Sequence, residues 1–175
     1  MASGPLDMRM DQKQELTAGN IVNDWPAEKI KAALRTLGEE PKAGRIAKAI
    51  VEARPIEDTL QLAAIVQRFY PKGRRHPATK TFQALRLAVN DELAQLEQSL
   101  SLWIQLLEPG GRLAVISFHS LEDRLVKQAF AERAGGYDAE LDLLTKHPLT
   151  PSQAEIDINP RARSAKLRAV AKIKI

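Results

Sequence analysis

Cysteine is absent from all 175 residues, which removes disulfides, thiolate zinc sites and a cysteine nucleophile together. That absence agrees with a reducing compartment. No apolar run reaches the length that crosses a bilayer, the longest candidates being LSLWIQLL at 100–107 and LAVISF at 113–118. The opening MASGPLDMRMD holds no apolar segment of the kind a secretory signal needs. These absences lead to the expectation of a soluble, cytoplasmic protein with no membrane partner. A glycine-rich nucleotide loop is also lacking: the nine glycines fall nowhere as GxG. The three histidines, His76, His119 and His147, stand apart from one another and from any carboxylate cluster, so no metal site is expected.

What is present suits a globular chain of one domain, or one domain with an appendage. Hydrophobic residues make up 44% of it and charged residues 27%, enough for an ordinary core beneath a soluble surface. The net charge of +4 is local in origin. Lys72, Arg74, Arg75, Lys80 and Arg86 follow one another between Pro71 and Arg86 with no acidic residue among them. Arg161, Arg163, Lys166, Arg168, Lys172 and Lys174 do the same after Asp157. These stretches hold 11 of the 26 basic residues, leaving 15 against 22 acidic ones elsewhere. Clustered cations on an otherwise acidic body are what phosphate contact rewards, through counterion release. The alternative is a pair of solvated faces.

Hydrophobic spacing predicts helices over 26–37, 44–53 and 57–69, then a basic, punctuated loop, YPKGRRHPATK. From Thr79 the seam Phe82, Leu85, Val89, Leu93, Leu96, Leu100, Trp103 and Leu107 steps by three and four, which predicts one long amphipathic helix. The same seam could serve a coiled-coil dimer. After EPGG, residues 112–118 form a continuous apolar run of the kind buried on both faces of a parallel sheet. Residues 121–133 return to helical spacing, and 141–149 and 165–175 are further strand candidates.

Four blocks carry a resemblance. GPLDMRMD at 4–11, HPATKTFQALRLAVNDEL at 76–93, PGGRLAVISFHSLEDRLVK at 109–127 and NPRARSAKLRA at 159–169 together resemble the bacterial small-subunit ribosomal RNA methyltransferase H family, whose members methylate the N4 of a cytidine in ribosomal RNA. The resemblance implies an α/β fold: a helical insertion domain plus the last strands of a class I, Rossmann-like methyltransferase sheet, incomplete in this chain. It implies a mainly helical substrate-recognition region at 1–76, a long bridging helix at 77–108 and closing strands and helix at 109–175, with the last two strands antiparallel. In the family the glycine-rich loop and the acidic ribose-binding residue that hold S-adenosylmethionine precede the GPLDMRMD block. The expectation is therefore that the complete enzyme uses S-adenosylmethionine, that this chain alone holds no cofactor, and that a separate N-terminal portion would supply the donor site. One departure, Pro41 to Gly44 in GEEPKAGR, replaces an aromatic-basic turn of the family.

Ligands of open α/β sheets lie beyond the carboxyl ends of the strands, where His119 and Ser120 follow Phe118. Ser120 is assigned here to a helix cap, with Asp123 as its capping-box partner, and His119 to the neighbourhood of the reaction, where a polar group can orient an exocyclic amine. Glu122, Asp123 and Arg124 are read mainly as exposed charge at a helix start, with Arg124 kept as a substrate-binding candidate. Asp7 and Arg9 are candidates by position. Lys72, Arg74, Arg75, His76 and Lys80 are the RNA-binding candidates, because the loop offers cations that need not be neutralised internally. Three functions remain open: a portion of a ribosomal RNA methyltransferase whose partner is small-subunit RNA, a non-catalytic RNA-binding or assembly module, and a homo-oligomer built on the Phe82–Leu107 seam.

Overall fold

A computed structural model describes residues 3–70, 77–135 and 137–173. The chain divides into two compact units, Met1–Glu92 and Leu93–Ile175.

The first unit is helical. Its helices are α1 (Ala18–Asp24), α2 (Ala27–Thr36), α3 (Ala43–Glu52), α4 (Thr59–Gln67) and α5 (Thr79–Asn90). Three start where local chemistry directs. Thr17 caps α1 in a box with Asn20 and Asp58 caps α4 through the Gln61 N–H, which satisfies donors without intrahelical partners, while Pro26 precedes α2 with a fixed φ and no side-chain cap bond. The apolar faces of these helices meet in a core that includes Ile21, Ile30, Leu34, Ile46, Ile50, Leu62, Val66 and Leu85. Gly38 allows α2 and α5 to pack closely, because a Cβ there would stand 2.7 Å from the Lys80 carbonyl.

The second unit holds α6 (Glu92–Leu106), β1 (Arg112–Ser117), α7 (Ser120–Arg133), β2 (Leu141–Leu143), α8 (Gln153–Ile158), a 3-10 turn (Pro160–Ser164) and β3 (Lys166–Lys172). The strands form a small antiparallel sheet in the order β1-β3-β2. Ser117 pairs with Lys166, Arg112 with Ala171, and Leu141 with Lys172. Leu100, Ile104, Val126, Phe130, Leu141 and Val170 form the core.

Three expectations are corrected. The single helix over 77–108 is two helices, because Asp91 takes left-handed backbone angles (φ 49°, ψ 37°) between α5 and α6, a conformation that short polar side chains tolerate. Leu85 and Val89 serve the first core and Leu100 the second, so the seam is not the unbroken one that a coiled coil requires; Trp103, one of its members, is exposed. The run at 112–118 is not buried on both faces: Arg112, Ala114 and Ile116 are exposed and alternate with more buried neighbours, since β1 is an edge strand covered on one side. The strand expected at 141–149 is ordered as one only over Leu141–Leu143, with a lone bridge from Leu149 to Leu167. The last two strands do pair antiparallel. Among the described residues, no helix is long and apolar enough to cross a membrane.

Candidate functional site

In the first unit, the GPLDMRMD block is an irregular segment held by side-chain hydrogen bonds. Leu6 and Asp7 give their carbonyls to the Gly19 and Ala18 N–H groups at the start of α1, at 2.5 and 2.9 Å. Met8 then takes a positive φ of 64°, which costs an L-residue energy and needs support from its surroundings. Asn90, buried at the end of α5, provides that support. Its amide nitrogen donates to the Met8 and Arg86 carbonyls, both at 2.9 Å, and its oxygen accepts from the Met10 N–H at 2.8 Å and from Gln14 Nε2 at 3.3 Å. A carboxamide offers two donors and two acceptor lone pairs, and all four are used.

Asp7 and Arg9 are brought together within this segment. Arg9 Nε and Nη2 donate to the two Asp7 carboxylate oxygens at 2.7 and 2.9 Å, and the Arg9 backbone N–H adds a third bond at 3.2 Å. These hydrogen bonds, the side-chain pair foremost, lower the Asp7 carboxyl to about 2. Arg9 Nη1 donates to the Gln12 and Gln14 carbonyls at 3.2 and 2.8 Å. The guanidinium is thus spent on folding residues 7–14.

Lys72, Arg74, Arg75 and His76 lie outside the described residues. Lys80 is exposed at the start of α5 and donates to the Glu39 carbonyl at 2.9 Å. Tyr70 is held by its hydroxyl, which donates to Glu40, and burial together with that bond pushes the phenol up to about 12. Glu40 is 1% exposed and also accepts the Lys42 N–H at 2.9 Å. Lys42 lies 4.1 Å from the Tyr70 ring centre and donates to the Phe69 carbonyl. Tyr70, just before the basic stretch, and Lys80, its described member, are therefore both tied to the turn at 39–42.

In the second unit, His119 lies at the carboxyl end of β1. Its backbone is extended (φ −142°, ψ 167°) and its ring Nδ1 accepts from the Glu122 N–H at 3.3 Å, while Glu122 Oε2 accepts from the Phe118 and His119 N–H groups at 2.8 and 3.3 Å. This is a capping box, displaced by one residue from the one expected: His119 caps, Glu122 reciprocates and Ser120 is the first helical residue. His119 has the extended backbone that a cap requires, whereas Ser120 already lies within the helix. Its Nε2 stands 3.3 Å from Glu122 Oε1.

Asp123 corrects a second expectation. It is 9% exposed rather than part of a solvated face. Its carboxylate receives Arg168 Nε at 2.7 Å, Arg168 Nη2 at 3.3 Å and Lys166 Nζ at 3.0 Å. Burial raises its carboxyl, but the bonds and charges of Arg168 and Lys166 outweigh that and hold it below the ordinary carboxylate range. Arg124 points outward on the next position of α7.

Asn90, Glu40 and the Asp123–Arg168 pair were not among the residues singled out. The one signal available for the pair was that SFHSLEDR and NPRARSAKLR carry complementary charge. No group of three or more His, Asp or Glu able to hold a metal occurs among the described residues. A cavity of about 190 Å³ between α6 and α7, lined by Glu97, Ser101, Leu125, Glu132 and Arg133 among others, is smaller than the usual small-molecule pocket. What the two clusters offer chemically is a rigid polar segment in one unit and, in the other, a capped strand end with a histidine.

Comparison with known proteins gives a consistent result. The profile of the MraW methylase family matches residues 1–173. Ribosomal RNA small subunit methyltransferase H from Oleidesulfovibrio alaskensis is 49% identical over 98% of this chain and 60% of its own length. The protein of that name from Solibacter usitatus is 52% identical over 97% of the chain and 59% of its own length. That from Synechococcus elongatus is 51% identical over 97% of the chain and 57% of its own length. The chain thus spans well under two thirds of the length of these relatives.

Proposed function

Because the chain belongs to the MraW methylase family, we propose that it is the RNA-facing part of a ribosomal RNA cytidine N4-methyltransferase that uses S-adenosylmethionine. The observation that carries this reading is about half identity to methyltransferases of that name along almost the whole chain. The relatives are substantially longer, and no glycine-rich nucleotide loop occurs in this sequence; in this reading these residues do not bind the methyl donor by themselves. Residues 1–76 contribute substrate recognition, with the basic stretch Lys72, Arg74, Arg75, His76 and Lys80 meeting the phosphate backbone of small-subunit RNA. Asp7 and Arg9 act by holding the segment they fold. His119, supported by the capping box and by the Asp123 N–H on its carbonyl, faces the target base from the strand end, with Arg124 one turn into the helix as a further RNA-binding residue.

The test has two arms. Calorimetric titration of the chain with S-adenosylmethionine is expected to give no heat of binding, while a fluorescent small-subunit RNA fragment binds with strong salt dependence. Donor binding by the chain alone would refute the division of labour. Reversing Arg74 and Arg75 to Glu should weaken RNA binding and flatten its salt dependence, by about 0.7 in slope for each phosphate no longer neutralised; an unchanged slope removes the loop from the interface. In the complete enzyme, His119→Ala should lower kcat by roughly 10²-fold, and unaltered methyl transfer would withdraw its role. Retained RNA binding by an assembled but inactive protein would favour the assembly-module reading.

A further inference from the structure

The second basic stretch, beyond Asp157, is not used by the proposal above; Lys174 lies outside the described residues, and the fold sorts the other five into two kinds of cation. Arg168 and Lys172 are 8% and 7% exposed. Arg168 and Lys166 are bound to Asp123, and Lys172 donates to Glu140 Oε2 at 3.2 Å and the Ile104 carbonyl at 3.4 Å. These three stabilise the unit. Arg161 and Arg163 differ: both are exposed, and neither guanidinium has an ion pair or hydrogen bond among the described residues. They flank Ala162, which is buried, so anchoring the 3-10 turn by its middle residue turns both arginines outward.

The turn is fixed close to the end of β1. It passes through Ala165 into Lys166, which pairs with Ser117 and whose carbonyl accepts the Ser117 hydroxyl at 3.4 Å. Asp123 ties Lys166 and Arg168 to the first turn of α7. One residue beyond Ser117, Phe118 is 55% exposed, while its N–H is locked onto Glu122 at 2.8 Å. The backbone is therefore rigid although the ring is bare. Phe118 follows Ser117, and Arg163 and Arg161 precede the strand partner of Ser117, Lys166, by three and five residues. A bare aromatic ring and two unpaired guanidiniums on the two segments that meet at this strand end fit single-stranded nucleic acid, in which a base stacks on the ring and phosphates bind the arginines. The neighbouring helix α8 carries Glu155 and Asp157, which repel a polyanion.

We propose that Phe118, Arg161 and Arg163 form a binding surface for single-stranded RNA at the end of the sheet that presents His119, made of residues other than those of the basic stretch at 72–80. The proposal rests on the reading of the chain as RNA-binding. It is tested on the full chain by fluorescence anisotropy with a short fluorescein-labelled single-stranded RNA across a salt series. Phe118→Ala is expected to weaken binding roughly tenfold through the missing stacking partner. Replacing Arg161 and Arg163 together by Ala should reduce the salt slope by about 1.4, the equivalent of two single-strand phosphates. The paired Arg161→Lys, Arg163→Lys variant should keep the slope, which separates charge from folding. Unchanged affinity and slope in both Ala variants, with binding still weakened when Arg74 and Arg75 are reversed, overturns this proposal and leaves the RNA reading standing. Failure of the unmodified chain to bind RNA overturns both. An effect confined to Phe118→Ala, with the slope intact in the double variant, overturns it by removing Arg161 and Arg163 from the surface.

Discussion

The two units centre their functional segments on different buried groups, a neutral amide in one and an ion pair in the other. In Met1–Glu92 the GPLDMRMD segment rests on a broad apolar core, and its centre is the neutral carboxamide of Asn90. In Leu93–Ile175 the core is a small cluster beneath three strands, Ile116 and Phe118 remain bare, and the strand end is fastened by charge, through Asp123 with Arg168 and Lys166. A neutral amide whose four bonds are made carries little desolvation cost. A buried ion pair returns its large cost only while both partners are present. The second unit should therefore depend much more steeply on single residues at its site.

Asp123→Ala should have the largest effect, since it strands Arg168 in a buried position, at a cost of about 4 kcal/mol. Each unit contains one tryptophan, Trp25 and Trp103, so guanidinium unfolding of the Trp25→Phe and Trp103→Phe variants follows the units one at a time. The Asp123 variant should move the Trp103 transition and leave that of Trp25 in place; coincident shifts in both would abolish the contrast. Asn90→Ala should cost about 2 kcal/mol by leaving the Met10 N–H and Met8 carbonyl short of partners, read on the Trp25 transition. Asn90→Gln keeps the carboxamide on a longer arm and should recover only part of that stability.

Acid sharpens the comparison further. Asp7 and Asp123 both have lowered folded-state pKa values, so each contributes stability that is present above the ordinary carboxylate range and lost as pH falls through the folded value. For Asp7 that loss runs from about 4 down to about 2. The first unit, with its apolar core, should keep its helical circular dichroism through this window while Arg9 is released. The second should lose near-ultraviolet signal from Trp103 as Asp123 protonates. The smallest effect belongs to Asp91→Gly, where relief of the left-handed backbone should stabilise the chain by less than about 1 kcal/mol; destabilisation would mean that the Asp91 side chain has a task of its own.

Much of the first unit was legible in advance. The helices expected at 26–37, 44–53 and 57–69 occur within a few residues of those limits, because each repeats apolar residues at helical spacing, with Gly38 and Pro55 following the first two. The site was less so. Asp7 and Arg9 could be singled out by position, but that they bind each other depends on the Met8 turn, and that turn depends on Asn90, far along the chain at the end of α5. His119 was noticed, whereas its capping role was given to Ser120, since serine is the more frequent cap and the backbone angles that decide the matter are not local properties of the residue.

Spacing and charge alone determined the helical character of the first half, the strand–helix passage around SFHS and the two basic stretches. The break at Asp91 was decided by tertiary structure, since the seam from Phe82 to Leu107 is continuous as a pattern and is divided only because its two halves are buried in different cores. The burial of Asp123 was decided in the same way. A carboxylate at a helix start is exposed by default, and only the register that sets Lys166 opposite Ser117 brings Arg168 beneath it. That register also separates the cations of the second basic stretch, consuming those on β3 and leaving Arg161 and Arg163 at the surface.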